Sequence, residues 1–208
     1  MGNSVKFALL TFFLFPVLLA NAQTVTREYD VISNKEKVGS VVAVNRELNG
    51  FEHYLITCEM SVRMILKINV SYNLKASFKN GFLMSSAATM YLNGKIQSQV
   101  QVERSGTNYV MIKDGVTEII TEPIEYSSAR LYFHLPDGDK KVFSETDGTF
   151  KTLKRLSTYA FELTDPGNSG DNNKYTYVPH LGLLSILVDR QFIPTFQLTY
   201  AGETVLDN

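Results

Sequence analysis

The longest regular pattern in the chain is an alternation of apolar and polar residues between Tyr54 and Lys79. From Ile68 to Phe78 every even position is apolar and every odd position is polar, the period of an extended strand with one buried face. The apolar even positions continue backwards to Tyr54, a length that single strands rarely reach. The pattern therefore predicts a hairpin with its turn near 63–67 and both apolar faces on the same side.

Short turn signals divide much of the remaining chain into further strands. Dipeptides typical of two-residue β-hairpins separate the alternating segments: Asn49-Gly50, Asn80-Gly81, Asn93-Gly94 and Asp114-Gly115. Strands joined by such tight turns pair with their neighbours in sequence. The spacing therefore predicts a meander of antiparallel strands.

One segment departs from this pattern. Residues Ser127 to His134 (SSARLYFH) predict a short helix that ends before Pro136. Further strands are predicted beyond it, a flexible loop is predicted over 165–173, and the tail from Gly202 is expected to fray. The later strands are predicted at 141–145, 149–163, 174–178, 183–189 and 195–200. We therefore expect an all-β fold, a large curved antiparallel meander sheet that forms a half-barrel or flattened barrel with the short helix as its plug.

The N-terminal residues have the composition of an export signal. Within residues 1–22, Lys6 precedes an apolar run over 7–19, and a small-x-small pattern ends at Ala22. The apolar run is shorter than the roughly twenty residues that a membrane-spanning helix needs. We expect cleavage after Ala22, leaving a single all-β domain over 23–208 that is periplasmic or secreted and does not span a membrane.

Charge and cysteine content narrow the function classes. The net charge is −1, which gives no electrostatic basis for binding nucleic acid or an anionic membrane surface. The single cysteine, Cys58, has the apolar parity of its strand, so a role in core packing is favoured over a nucleophilic one. It cannot form an internal disulfide, and the core alone must stabilise an exported chain.

The sequence contains no spacing typical of a catalytic or metal site. The histidines His53, His134 and His180 are far apart, and neither a nucleophile elbow nor a phosphate-binding loop occurs. We therefore expect no metal, no cofactor and no catalytic residues. Glu145, near Arg130, is an isolated acid/base candidate, for which a solvated hairpin tip is the favoured interpretation. A hydrolase or isomerase would need Glu145, Arg130 and Tyr132 to converge.

The amphipathic strands themselves are the remaining candidate site. A cup of long strands needs more filling than one short helix supplies, and methionine adapts to variable contacts. We expect a lipid-like or other apolar ligand against the even-position face, with 131–133 as a lid, although ordinary core packing explains any single residue. The alternative is an envelope protein interaction module with a filled core and no small ligand. The predicted ligand-binding residues are Tyr54, Ile56, Met60, Val62, Met64, Ile68, Val70, Tyr72, Leu74, Leu131, Tyr132 and Phe133.

Several short stretches in a fixed order carry a family resemblance. They are Phe78 to Leu83, Tyr91 to Lys95, Leu131 to Phe133 with Pro136 and Gly138, Val142 to Glu145 with Gly148, and Asn173 to Tyr177 before Leu181-Gly182. Together they resemble an uncharacterised family of exported all-β proteins, a domain of unknown function, of Bacteroidetes-type bacteria. The resemblance implies a compartment and a fold but no reaction. More distantly, the chain is similar to the half-barrels of periplasmic lipoprotein carriers, which hold acyl chains in an apolar concavity.

Overall fold

The computed structural model describes residues 23–63, 67–189 and 195–207. The predicted signal peptide, residues 1–22, and the predicted ligand-binding residue Met64 lie outside these ranges. The described residues form one antiparallel sheet and one short helix. The elements are β1 (Gln23–Ser33), β2 (Glu36–Leu48), β3 (Phe51–Arg63), β4 (Lys67–Lys79), β5 (Phe82–Leu92), β6 (Lys95–Ser105), β7 (Asn108–Lys113), β8 (Val116–Ile120), α1 (Ser128–Leu131), β9 (Lys140–Ser144), β10 (Thr149–Ser157), β11 (Ala160–Asp165), β12 (Asn168–Val178), β13 (Gly182–Asp189) and β14 (Phe196–Asp207).

In the described part of the chain, the sheet has 14 strands that follow each other as a meander. Each strand pairs with the next along the chain, except that β8 and β9 do not pair, and β1 pairs with β14. Strands β8 and β9 therefore lie at the two edges, and among the described residues no backbone ladder closes the sheet into a barrel. The predicted all-β fold with an antiparallel meander and one short helix is confirmed.

The predicted two-residue turns have the backbone geometry that Asn-Gly sequences favour. Asn49, Asn80, Asn93 and Asp114 have φ between 50° and 53°, and the glycine after each also has positive φ. Two consecutive residues with positive φ form the turn whose twist matches that of the flanking strands. These turns set the register at the start of each hairpin, and β-bulges shift it by one residue further along the β4–β5 and β5–β6 pairs.

The core is the inward-facing set of alternate residues. On β3 and β4, Tyr54, Ile56, Leu74 and Phe78 are at most 3% exposed, and each is apolar in the even-position pattern. Opposite pairs such as Ile56 and Leu74 share one face of the sheet. Helix α1 inserts Leu131, which is fully buried, into the concavity that the sheet leaves.

The edges of the sheet meet through side chains as well as through the segment that contains α1. The turn between β9 and β10 lies against the inner face of β6 and β7, where Lys113 Nζ donates to the Asp147 carbonyl oxygen at 2.7 Å. Gly148 has φ of +66°, and a Cβ there would approach Met111 Sδ to 2.8 Å. Glycine is therefore favoured by its backbone conformation and by the close approach of β7.

Three of the predicted element bounds are wrong. The single strand predicted over 149–163 is two strands, β10 and β11, separated by a turn at 158–159. The loop predicted over 165–173 is mostly strand, because β12 begins at Asn168. The tail beyond Gly202 continues as β14 and pairs with β1 up to Asp207. The start of β12 is polar and the end of β14 is exposed, but backbone pairing with a neighbouring strand orders both.

Candidate functional site

The concave surface of the sheet has two ends with different packing. We call plug end the end that carries the turns at 49–50, 80–81 and 106–107, where α1 packs against β3 and β4. We call mouth end the opposite end, where the turns at 34–35, 93–94 and 114–115 lie. At both ends the concave surface is formed by the inward-facing side chains of the same strands.

At the plug end, a polar network joins α1 to β3. Arg130 donates to both carboxylate oxygens of Glu52, at 2.7 and 2.8 Å. The Tyr54 hydroxyl donates to the same carboxylate and lies 2.7 Å from His134 Nε2. The Arg130 guanidinium also lies over the Phe78 ring, 4.7 Å from its centroid. These contacts fix the helix to the strand by charge, hydrogen bonds and packing together.

Two further contacts hold the segment that was predicted to act as a lid. The Tyr177 hydroxyl donates to the Leu131 carbonyl oxygen at 2.8 Å, and Arg27 donates to the Tyr132 carbonyl oxygen at 2.8 Å. The Phe133 ring lies 5.7 Å from the ring of Tyr54. In this structure the segment 131–133 is therefore packed and hydrogen-bonded on several sides.

Glu145 is a buried carboxyl group rather than a solvated hairpin tip. Its side chain is fully buried and accepts hydrogen bonds from the backbone N–H groups of Ser128, at 3.1 Å, and Ala129, at 3.4 Å. Burial raises its pKa to about 7, against the opposing effect of these hydrogen bonds. The prediction of a charged tip was wrong because the β9–β10 turn folds onto the inner face of the sheet.

The side chains required for a hydrolase or isomerase make their contacts in different places. Glu145 binds the N-terminus of α1, whereas Arg130 pairs with Glu52 and the Tyr132 hydroxyl lies 3.2 Å from that of Tyr72. In the described contacts, the three groups do not form one acid/base constellation. Glu145 and Arg130 instead hold α1 against the sheet through hydrogen bonds.

At the mouth end, the apolar face continues without being fully covered. Met60 lies opposite Val70, and Val70 lies opposite Leu92, so the three side chains share the inner face. Met60 and Val70 are half-buried, and Leu92 is 39% exposed. An apolar wall with solvent contact therefore extends along β3, β4 and β5 towards their tips.

Tyr72 marks the boundary between the two ends. Its side chain is half-buried, yet desolvation raises its pKa well above the ordinary value of tyrosine. The Tyr72 hydroxyl lies 3.2 Å from that of Tyr132, so this strand residue contacts the segment that follows α1.

The structure places the described ligand-binding candidates on one concavity but in two environments. Six are buried, and five are half-buried. The buried ones are Tyr54, Ile56, Val62, Leu74, Leu131 and Tyr132, and the half-buried ones are Met60, Ile68, Val70, Tyr72 and Phe133. The strand alternation identified the shared face, but it could not show which part of that face the helix covers.

Sequence reasoning missed residues whose positions depend on the pairing of distant segments. Leu92 joins the mouth-end wall only because β5 pairs with β4 in a particular register. Glu52 joins the plug-end network through Arg130, which is 78 residues away. A register counted from the Asn80-Gly81 turn alone pairs Val70 with Tyr91, and a β-bulge between Ser77 and Phe78 shifts that pairing to Leu92. No local signal points to Glu52.

Other site types were sought in the described part of the chain. Among the described residues, no three His, Cys, Asp or Glu side chains lie close enough to hold a metal ion. Within the same ranges, no helix has the length and apolar character needed to cross a membrane. A groove of about 660 Å³ beside α1 is lined by Tyr126, Arg130 and His134, among others. Its Arg130 is paired with Glu52, so this groove offers no free cation at that position.

The fold and the site define an incomplete β-barrel whose concavity is plugged at one end by a single helical turn. The chain belongs to the family described as a domain of unknown function, DUF6134, whose model matches residues 29–186. The expectation of an uncharacterised family is thereby confirmed. No match was found among the curated proteins.

A solved structure supports the fold. The chain is similar to a β-barrel-like protein of the domain of unknown function DUF1849 from Brucella abortus, known from a crystal structure. The TM-score is 0.54 at 6% sequence identity, and the match covers 90% of this chain and 98% of that one. At this identity the likeness concerns the fold alone.

Proposed function

We propose that this chain is an exported, non-enzymatic carrier that holds a lipid-like or other apolar ligand in its concavity. The ligand lies at the mouth end, against Met60, Val70 and Leu92, while the plug end forms the stable floor. Export follows from the predicted signal peptide over 1–22. The proposal narrows the ligand-binding surface expected from the sequence to the part that α1 leaves accessible.

One observation carries the proposal. On β4, the inward-facing apolar residues nearest the mouth end keep solvent contact, although those nearer the plug end are buried. Ile68 and Val70 are half-buried, whereas Leu74 and Phe78 on the same strand are at most 3% exposed. Concave apolar surface with solvent contact is the usual setting for an apolar ligand.

The energetic basis is the burial of hydrocarbon. Each methylene group transferred from water to an apolar wall contributes about 0.8 kcal/mol. Ten methylenes supply about 8 kcal/mol, which corresponds to roughly micromolar affinity before the cost of immobilising the ligand is subtracted. A carrier that must also release its ligand needs no tighter binding than this.

The test is native mass spectrometry of the protein purified gently from the periplasm, followed by organic extraction. We expect an additional lipid-sized mass that disappears on extraction. The Val70→Asp variant places a charge on the inner wall and should lose most of that mass. Asn73→Asp adds the same charge on an exposed position of the same strand and should retain it. Equal occupancy in two folded variants contradicts the proposal.

An envelope protein interaction module is the second candidate, and one feature favours it. Edge strand β8 has no partner on its outer side in the described sheet, and its residues Val116 and Ile119 are 60% and 59% exposed. An exposed apolar edge can pair with a strand of another protein. This function predicts a clean protein mass in gentle purification, and Val116→Lys would then weaken partner capture without changing lipid content.

The similarity to lipoprotein carriers of a Bacteroidetes-type envelope belongs to the same proposal. It supports the carrier function only by analogy of fold, because half-barrels serve many functions. The analogy makes an acyl chain the first ligand to test. Chemical analysis of the extracted material tests this point directly.

A further inference from the structure

The groove beside α1, of about 660 Å³, lies at the plug end, apart from the mouth-end wall. Its lining includes the plug-end turn at 80–81, part of the segment before α1, and the first residues of β9. Its volume is within the range of small-molecule pockets. The apolar part of its lining consists of Phe82, Pro123, Tyr126, Leu135 and Phe150. The proposed carrier function makes no use of this groove.

The ion pairs of the groove leave one carboxylate over. Each of the three cationic side chains described in its lining is paired with a carboxylate. The pairs are Arg130 with Glu52, Lys140 with Asp137, and Lys141 with Glu122. Glu125 is exposed, and in the described contacts its carboxylate has no partner. The groove therefore has an uncompensated negative charge, which favours a cationic ligand.

His134 adds a hydrogen-bond acceptor to the groove. A tyrosine hydroxyl has one hydrogen, and that of Tyr54 is donated to the Glu52 carboxylate. In the contact of 2.7 Å between Tyr54 Oη and His134 Nε2, the ring nitrogen is therefore the donor. A neutral imidazole has one N–H, so Nδ1 has the lone pair. The His134 side chain is 42% exposed and Nδ1 has no partner in the described contacts, so a ligand in the groove can donate to it.

Tyr126 connects the two acceptors. Glu125 precedes Tyr126 in the chain, and the Tyr126 hydroxyl donates to the His134 carbonyl oxygen at 2.9 Å. Arg130 also donates to the Glu125 carbonyl oxygen at 2.9 Å, which holds this segment against α1. An ammonium group has three hydrogens, so it can donate to a carboxylate and to an imidazole nitrogen together. A hydroxyl has one hydrogen, and a carboxylate has none.

We propose that the groove beside α1 binds the primary ammonium group of an alkylamine, with the Glu125 carboxylate as its counter-ion and His134 Nδ1 as a second acceptor. The hydrocarbon part of the amine lies against Phe82, Leu135 and Phe150. Leu135 is 45% exposed, so it offers apolar surface to such a chain. The site is independent of the proposed carrier function, because it lies at the plug end and uses different residues.

The test is an NMR titration of the isotopically labelled mature protein with hexylamine, hexanol and hexanoate at about pH 8, where the amine is protonated and the acid ionised. We expect hexylammonium to shift the amide signals of groove residues such as Gly81 and Lys141. By these signals it should bind at least about tenfold more tightly than hexanol, the equivalent of one charge-assisted hydrogen bond. Hexanoate should bind no more tightly than hexanol, because the Glu125 carboxylate repels it.

Two glutamate variants test the counter-ion. Glu125→Gln keeps the size of the side chain and removes its charge, so hexylammonium should bind at least about fivefold more weakly and hexanol as before. Glu59→Gln makes the same change at an exposed position of β3 that is not part of the groove lining, and should alter neither affinity. Thermal unfolding of both variants checks that each is folded.

The imidazole signals of His134 test the second acceptor. Ring nitrogen shifts show which nitrogen has the hydrogen, and His134→Gln identifies the signals among the three histidines. We expect the Nε2–H form. Burial and the guanidinium groups of Arg130 and Arg27 hold the pKa of His134 below its usual 6.5, against the opposing effect of Glu52. Hexylammonium binding should therefore weaken only below about pH 6.5, where an imidazolium offers no acceptor.

Three results would each overturn the amine site. The first is an equal affinity of the groove for hexylammonium and hexanol. The second is an equal effect of Glu125→Gln and Glu59→Gln on hexylammonium binding, and the third is a hydrogen on Nδ1 of neutral His134. None of them bears on the carrier function, because a ligand at the mouth end shifts the signals of Val70 and Leu92 instead.

Discussion

Strands β3 and β4 have the same alternation along their whole length, but their two ends have different environments. At the plug end, Tyr54, Leu74 and Phe78 are buried beneath α1 and its polar network. At the mouth end, Met60, Ile68 and Val70 are half-buried. A period of two specifies which face of a strand is apolar, but it does not specify what covers that face. The covering segment is supplied from residues more than 50 positions away along the chain.

The largest expected effect of a substitution is at the plug end. Leu131 is fully buried on α1, so Leu131→Ala should lower the free energy of unfolding by about 3 kcal/mol through lost burial and a residual cavity. Val70→Ala at the mouth end should lower it by less than about 1 kcal/mol, because solvent already reaches that side chain. Urea unfolding of both variants measures the difference. Equal losses would mean that the two ends are packed alike.

A pH titration tests the burial of Glu145 against the N-terminus of α1. The folded pKa of Glu145 is about 7, above the ordinary value of 4.5, so the folded state binds this proton more tightly than the unfolded state. Stability is therefore highest below about pH 4.5 with respect to this group, and falls as the pH rises to about 7. The loss is about 3 kcal/mol by linkage.

The control for this titration is Glu145→Gln, which cannot ionise. Its free energy of unfolding should lack the fall between about pH 4.5 and 7, while the contributions of other groups remain. Urea unfolding at a series of pH values gives both curves. Parallel curves for the two proteins would show that Glu145 is ionised alike in the folded and unfolded states.

A substitution at Gly148 tests the contact between the β9–β10 turn and β7. Gly148→Ala forces a Cβ to within 2.8 Å of Met111 Sδ and also strains a backbone with φ of +66°. Gly94→Ala has a comparable backbone strain, at φ of +78°, with nothing within 4 Å of the new atom. We expect the first variant to be less stable than the second by about 1–3 kcal/mol. Similar thermal midpoints would show that Met111 moves aside at little cost.

The smallest of these effects concerns the anchoring of the plug. Arg130→Met removes the ion pair with Glu52 in a partly buried setting, and we expect a loss of about 1–2 kcal/mol. Lys141→Met removes an exposed ion pair with Glu122 and should cost less than about 0.5 kcal/mol. Unfolding in urea at two salt concentrations distinguishes them, since the exposed pair is screened more strongly.

Most of the fold was predictable from local sequence patterns. The division of the concave surface into a covered plug end and a partly exposed mouth end was not. The Asn-Gly turns and the alternation of β3 to β6 specify long hairpins, and these are present. The polar residues of β12 and the end of β14 were misassigned because their order comes from partners across the sheet. The covering of Tyr54 and the burial of Glu145 depend on contacts of α1 with distant strands, which no periodicity encodes.

The way in which the sheet edges meet has a mechanical consequence. At the plug end, the segment before α1 is joined by backbone hydrogen bonds to both sides, from Leu83 to Ile124 and from Phe143 to Tyr126. At the mouth end, the β9–β10 turn is held to β6 and β7 by side-chain donors from Ser98 and Lys113. In the described contacts, the two sides of the sheet are therefore joined by backbone hydrogen bonds at the plug end and by side-chain hydrogen bonds at the mouth end. Among the described residues no strand ladder crosses this junction, so the two edges can separate at the mouth end when only these side-chain hydrogen bonds break.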